Sequence, residues 1–209
     1  MRAIDLETPH GPARAHLHET ENPRALLALG HGAGGGVGAK DLVAATEAAG
    51  SLGVAVALVE QPYRVAGKRS QPAASTIDSA WIAAIEGLRA GSFADLPLIS
   101  GGRSAGARVA CRTAAATGAI GVLCLAFPLQ PPQRKAAAKP SPSRIDELDD
   151  VVVPVLVVQG RNDRFGMPPS GASREVVEVA GDHALRSDLE AVGAAVRVWL
   201  EKLLSETRR

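Results

Sequence analysis

Three segments of the chain carry residue types that can do covalent chemistry in concert. Residues 102–106 read Gly-Arg-Ser-Ala-Gly, a G-x-S-x-G pattern standing where an apolar run gives way to a helical one. A serine on so sharp a strand-to-helix turn projects its hydroxyl above the sheet, and a Cβ at the flanking positions would collide with neighbouring backbone. The helix that starts there aims free N–H groups and the positive end of its dipole at the same spot. Ser104 is therefore a candidate nucleophile. The segment RNDRFG puts Asp163 just past another apolar run, and AGDHALR puts His183 in a loop before the last helix. A histidine so supplied takes the serine proton and returns it to a leaving group, while the acid fixes the imidazole tautomer and stabilises its charged form. Alone, Asp163 reads as a turn residue and His183 as polar surface; their weight is joint. Asp182 is a substitute acid, disfavoured because its adjacency to His183 works against a good Nδ1 contact.

A glycine-rich segment, GHGAGGGVGAK (30–40), follows the apolar run ALLAL and admits two readings. In the first it is an oxyanion loop: the backbone N–H of Ala33, after His31-Gly32, acts with that of Ala105 on a developing negative charge. In the second it is a dinucleotide site, with Gly30, Gly32 and Gly35 as G-x-G-x-x-G and Glu60 as the ribose ligand. Glu60 stands 60 − 35 = 25 residues past the last glycine, where about 20 is expected. The glycines also run on through Gly38, which weakens that reading. A phosphate loop of the Walker type fails, because Lys40 lies between Ala39 and Asp41.

Other chemistry-bearing residues have plainer alternatives. Arg103 and Arg164 flank two of the candidates, and Arg64, Lys68 and Arg69 crowd one loop. Together they could hold a substrate carboxylate; solvation, or pairing with Glu60 or Asp182, competes. Cys111 and Cys124 lie inside apolar segments and read as core thiols before a redox or metal pair. His16 and His18 would share one face of a strand, but no third ligand stands near them. Trp81 and Trp199 fall on helical apolar patterns and read as core.

These residues need a scaffold, and the apolar pattern supplies one. Runs at 25–30, 54–60, 96–101, 121–127 and 153–160 lack polar alternation, as strands buried on both faces do. Helical stretches at 39–52, 75–90, 104–116 and 187–204 lie between or after them, and 174–181 offers one more strand. An N-terminal alternation around Pro9 and Gly11 reads as an edge hairpin. The expected architecture is α/β: a doubly wound, mostly parallel sheet in one domain over 1–209, with ligands beyond the carboxyl ends of the strands. The Pro-rich basic segment 131–144 borders a substrate entrance or is simply a solvated loop.

Composition narrows the function classes. The chain has 209 residues, 46% hydrophobic and 22% charged, with a net charge of +1. That balance excludes bulk attraction to nucleic acid or an anionic membrane. At 3% aromatic residues there are few stacking platforms for single-stranded bases. No stretch reaches the roughly 18 apolar residues of a membrane span, and MRAIDLETPH has no signal-like apolar core. The expectation is a cytoplasmic protein acting on a small-molecule acyl substrate, with no nucleic-acid or membrane partner. Oligomeric state is not legible.

Taken together, LGHGAGGG, GGRSAGARVACRTA, FPLQPP, VVQGRNDRFG and AGDHALR resemble the α/β-hydrolase superfamily in its dienelactone-hydrolase-like region. More narrowly they are similar to the small group containing non-specific lethal complex subunit three and testis-expressed protein thirty. The resemblance covers roughly 25–204. It implies a serine hydrolase, carboxylesterase-like, with Ser104, Asp163 and His183 as catalytic triad and no cofactor or metal. Dienelactone hydrolases use cysteine where Ser104 stands, so their substrate class does not transfer. Space for a cap exists only at 128–150. Some members of the narrower group look like interaction subunits, which leaves a catalytically quiet interaction module as the alternative.

Overall fold

Residues 2–131 and 142–207 are described by the computed structural model of the chain, and the apolar runs read above become its strands. β1 (Arg2–Leu6) and β2 (Ala13–His18) form the antiparallel hairpin. Along β2, buried Ala13, Ala15 and Leu17 alternate with half-buried Arg14, His16 and His18, so one face turns to the core. Next come β3 (Leu26–Gly30), α1 (Lys40–Gly50), β4 (Ala55–Glu60), the short α2 (Pro62–Val65) and α3 (Ala74–Arg89). The second half runs β5 (Leu98–Arg103), α4 (Ala105–Thr117), β6 (Gly121–Leu125), α5 (Ile145–Asp149), β7 (Val155–Gly160), β8 (Arg174–Val179) and α6 (Leu189–Glu206).

The strands form one sheet in the order β1-β2-β4-β3-β5-β6-β7-β8, parallel from β4 to β8 and antiparallel at the hairpin end. This is the mostly parallel, helix-covered sheet that the alternation predicts. Successive strand residues face opposite ways and build two cores. Leu26 and Ala28 join Trp81, Ile85 and Val109 of α3 and α4 on one face. Leu27 and Leu29 join Leu42, Val196 and Leu200 of α1 and α6 on the other. Each such leucine contributes about 1.5–3 kcal/mol by leaving water. Trp81 and Trp199 both lie in these cores. No helix among the described residues is long and apolar enough to cross a membrane.

Boundaries differ from the sequence reading where backbone rather than side chains decides. β5 runs on to Arg103, since Gly102 pairs with Gly30 on one side and Cys124 on the other. β6 stops at Leu125, because Ala126 turns to a positive φ of 51°. Within the candidate cap region, α5 seats Leu148 in the core and is tied to α4 by Arg108 and Glu147. The 131–144 segment lies for the most part outside the described residues.

The topology fixes where a ligand would sit. From β3 the chain moves outward to β4, then crosses back to place β5 on the other side of β3. At that reversal the helices after β3 and β5 pack on opposite faces of the sheet, the place at which a doubly wound sheet takes its ligand.

Candidate active site

The elbow stands at this reversal, directly after β5. Ser104 links β5 to α4 with φ 53° and ψ −108°, a region non-glycine residues rarely enter, costing of the order of 1–3 kcal/mol. Its N–H donates to the Leu125 carbonyl at 2.9 Å, which pins the turn to β6. The flanking glycines are required by close approach. A Cβ on Gly102 would lie 2.6 Å from the Gly30 carbonyl oxygen, and one on Gly106 would drive into that same carbonyl. Helix α4 and strand β3 can therefore touch beneath the serine only without those side chains.

The acid and the histidine arrive from neighbouring loops. Arg161 and Asn162 donate their N–H groups to the carbonyls of Val179 and Gly181, both at 2.9 Å, which ties the turn after β7 to the loop after β8. That brings Asp163 Oδ2 to 2.7 Å from His183 Nδ1, and His183 Nε2 to 2.9 Å from Ser104 Oγ. The Asp163 side chain is only 1% exposed, whereas that of His183 is 18% exposed and reachable from solvent. Phe165 packs edge-on against the His183 ring at 4.5 Å. The loop itself is anchored by Leu185, which is fully buried.

One contributor escaped the sequence reading. Gln159, fully buried at the end of β7, donates from Nε2 to Asp163 Oδ2 at 2.8 Å. The same nitrogen faces the Phe127 and Gly166 carbonyls at 3.0 and 2.8 Å, so three acceptors fix the amide's orientation. With the Phe165 N–H on Oδ1 at 2.9 Å, the Asp163 carboxylate accepts from three donors. The only signal was a polar residue closing an otherwise apolar strand at its ligand-facing end.

The glycine loop after β3 abuts the elbow. His31 is buried and serves as its post: Nδ1–H donates to the Gly32 carbonyl at 2.8 Å, while Nε2 accepts the Gln61 N–H at 3.1 Å. Burial pushes His31 below the ordinary histidine range, so the ring stands neutral in a fixed tautomer. Tyr63 packs on this ring at 5.8 Å and donates its hydroxyl to the Ala33 carbonyl at 3.0 Å. Among the described residues the N–H groups of Ala33 and Ala105 have no hydrogen-bond partner. Ala105 is the first residue of α4, so its N–H lies at the positive end of that helix.

The remaining candidates are placed elsewhere. Asp182, the substitute acid, spends its carboxylate on the Ala184 N–H at 2.9 Å. Glu60, the ribose ligand of the dinucleotide reading, pairs with His16 at 2.9 Å, and α1 begins only at Lys40, well past Gly35. His16 and His18 join no metal-binding group among the described residues. Cys111 and Cys124 are buried, unbridged and 3.5 Å apart at sulfur, and this contact and burial push the Cys124 thiol well up. Three of the basic side chains are engaged apart from one another. Arg64 donates to the Lys68 carbonyl, Arg164 stacks on Phe165 at 4.8 Å, and Arg103 pairs with Asp41, not with Glu60 or Asp182.

The family described as an alpha/beta hydrolase domain matches residues 23–187, a span that includes the glycine loop, the elbow and the loops of Asp163 and His183. The chain belongs to the alpha/beta hydrolase family. No curated protein matches its sequence. Among solved structures it is similar to Est1E from Butyrivibrio proteoclasticus, with a TM-score of 0.77 and 18% identity over 97% of this chain and 99% of that one. XC6422 from Xanthomonas campestris, described as an a/b serine hydrolase without lid, gives 0.74 at 19% identity, covering 96% of this chain and 94% of that one. A dienelactone hydrolase from Anabaena variabilis gives 0.74 at 16% identity, covering 96% of each. At such identities the likeness is one of fold, and the family's doubly wound sheet is what this chain shares.

Proposed function

We propose that this alpha/beta hydrolase cleaves a small ester, or a similarly activated acyl bond, through a Ser104 acyl-enzyme. One observation carries the reading: Ser104 Oγ, the His183 ring and the Asp163 carboxylate stand in a continuous hydrogen-bonded chain of 2.9 and 2.7 Å. As Oγ attacks the acyl carbon, His183 Nε2 takes its proton, and Asp163 stabilises the imidazolium. The carbonyl oxygen becomes an anion and draws on the N–H groups of Ala33 and Ala105. Collapse breaks the bond to the leaving group, which departs with the proton from Nε2. Water, activated by the same nitrogen, then attacks the acyl-enzyme and regenerates Ser104. No cofactor or metal enters these steps.

The neighbours support the class without naming the substrate. Est1E has been solved with ferulic acid bound, and XC6422 is described as lacking a lid. A solvent-reachable His183 suits a small or exposed acyl substrate in the same way. We further infer kinship with the small group containing non-specific lethal complex subunit three and testis-expressed protein thirty. It rests on Arg103 in the elbow, Phe127-Pro128-Leu129 after β6, and the block from Gln159 to Gly166.

The test is turnover of short p-nitrophenyl esters by wild type and Ser104→Ala. Wild type is expected to turn over, and the variant to lose at least about 1,000-fold in kcat. Equal rates in the two proteins would sink the mechanism. A folded wild type inert to every acyl ester would favour an interaction module that keeps the fold.

A further inference from the structure

Arg103 holds the variable position of the elbow, next to Ser104, and its guanidinium reaches three other parts of the site. Nε lies 2.9 Å from Asp41 Oδ2. Nη2 donates to the His183 carbonyl at 3.0 Å. Nη1 lies against Gly32, where a Cβ would stand 2.9 Å from that nitrogen and 3.6 Å from Ser104 Cβ. Asp41 is wholly buried in the first turn of α1, the helix that follows the glycine loop, and its Oδ1 accepts the Leu42 N–H. One side chain thus touches the head of α1, the glycine loop and the loop of His183.

The chemistry of the group suits that task better than substrate capture. Its charge is already balanced by a buried carboxylate, so it is not a free cation awaiting a substrate anion. Burial pushes the Asp41 carboxyl above its ordinary value, and the neighbouring guanidinium pulls against this without reversing it. Arginine's planar fork can face three directions at once from one rigid plane, which a lysine ammonium on a flexible stem cannot do.

We infer that Arg103 is a positioning residue that clamps the glycine loop and the His183 loop to the elbow through a buried ion pair with Asp41. The inference rests on the serine-hydrolase reading above. Without the clamp, the oxyanion donors and His183 Nε2 lose their common register on Ser104, which is a loss in the reacting geometry rather than in the first encounter with substrate. Gly32 is part of the device, because a Cβ there would stand 2.9 Å from Nη1, so the guanidinium must shift to admit it.

The test compares wild type with Arg103→Met plus Asp41→Asn, Arg103→Lys, and Gly32→Ala in both backgrounds, on p-nitrophenyl butyrate and with melting curves. The double replacement removes both charges, so no buried carboxylate is left unpaired and the fold is retained. It is expected to lose about 100-fold in kcat while KM stays within about threefold. Arg103→Lys should keep a near-native melting temperature yet recover little of kcat. Gly32→Ala should lower kcat in the wild-type background and add little in the double-variant background, since its clash is with Nη1. A double variant within about twofold of wild-type kcat, or a Gly32→Ala cost equal in both backgrounds, overturns the positioning role and leaves the hydrolase reading standing. A wild type inert to both the ester and a fluorophosphonate overturns the two together.

Discussion

Asp163 is held by more than its histidine, and that is where residue chemistry makes its sharpest demand. Its carboxylate accepts from His183, Gln159 and Phe165, so its orientation is set before any substrate arrives. Replacing Gln159 by Leu removes one of these donors and leaves the carbonyls of Phe127 and Gly166 buried without it. The expected result is a kcat lower by about 10–100-fold and a stability loss of about 1–3 kcal/mol, read by ester kinetics and denaturant melts. Unchanged kcat would show that Asp163 is oriented without the amide. The elbow pattern at Ser104, with Asp163 past an apolar run and His183 before the last helix, put these three residues forward, and the fold brings their side chains within hydrogen-bond reach. Gln159 and the Arg103–Asp41 pair were not legible. A lone glutamine or arginine has no periodic signature, and ion pairing between residues far apart in the chain depends on which loops the sheet makes neighbours.

Among the elements, the elbow depends on a contact between backbones. α4 crosses β3 so closely that Gly106 meets the Gly30 carbonyl, with Trp81 packed against Gly30 from α3. Gly106→Ala must push the helix off the strand, for about 1–3 kcal/mol of overpacking, and move Ser104 with it. Both a lower melting temperature and a fall in kcat are expected; a stable, fully active Gly106→Ala would contradict this account of the turn. Elements with strong patterns were legible: the five buried strands are continuous apolar runs, and α6 shows Val192, Val196, Trp199 and Leu203 on one face. The short α2 and α5 were not, because four or five residues carry too little periodicity. The ends of β5 and β6 shifted because glycine pairing and the positive φ of Ala126 are invisible to hydropathy.

At the scale of the whole molecule, strand composition indicated a parallel sheet but not its order. Placing β4 between β2 and β3 follows from chain crossing and the antiparallel hairpin, which no local pattern encodes. Global stability should also register the buried post under the glycine loop. In the unfolded chain a histidine titrates near about 6.5, while burial holds His31 below its ordinary value in the fold. As pH falls through the unfolded value, the unfolded state gains a proton that the folded state refuses, so stability is full above that pH and declines below it. His18 is shifted in the same direction by its burial. The melting temperature is therefore expected to drop between about pH 7.5 and 5.5, with a smaller drop in His31→Gln. An equal drop in both proteins would mean that His31 is not the buried neutral group described here.

The most direct measurement is intact-mass spectrometry after fluorophosphonate treatment, on wild type and on Ser104→Ala. The hydrogen-bonded chain from Asp163 through His183 to Ser104 predicts a single adduct on wild type, mapped to the peptide carrying Ser104, and none on the variant. A well-folded wild type that takes up no adduct, or a variant that takes up as much, would contradict the assignment of Ser104 as the nucleophile.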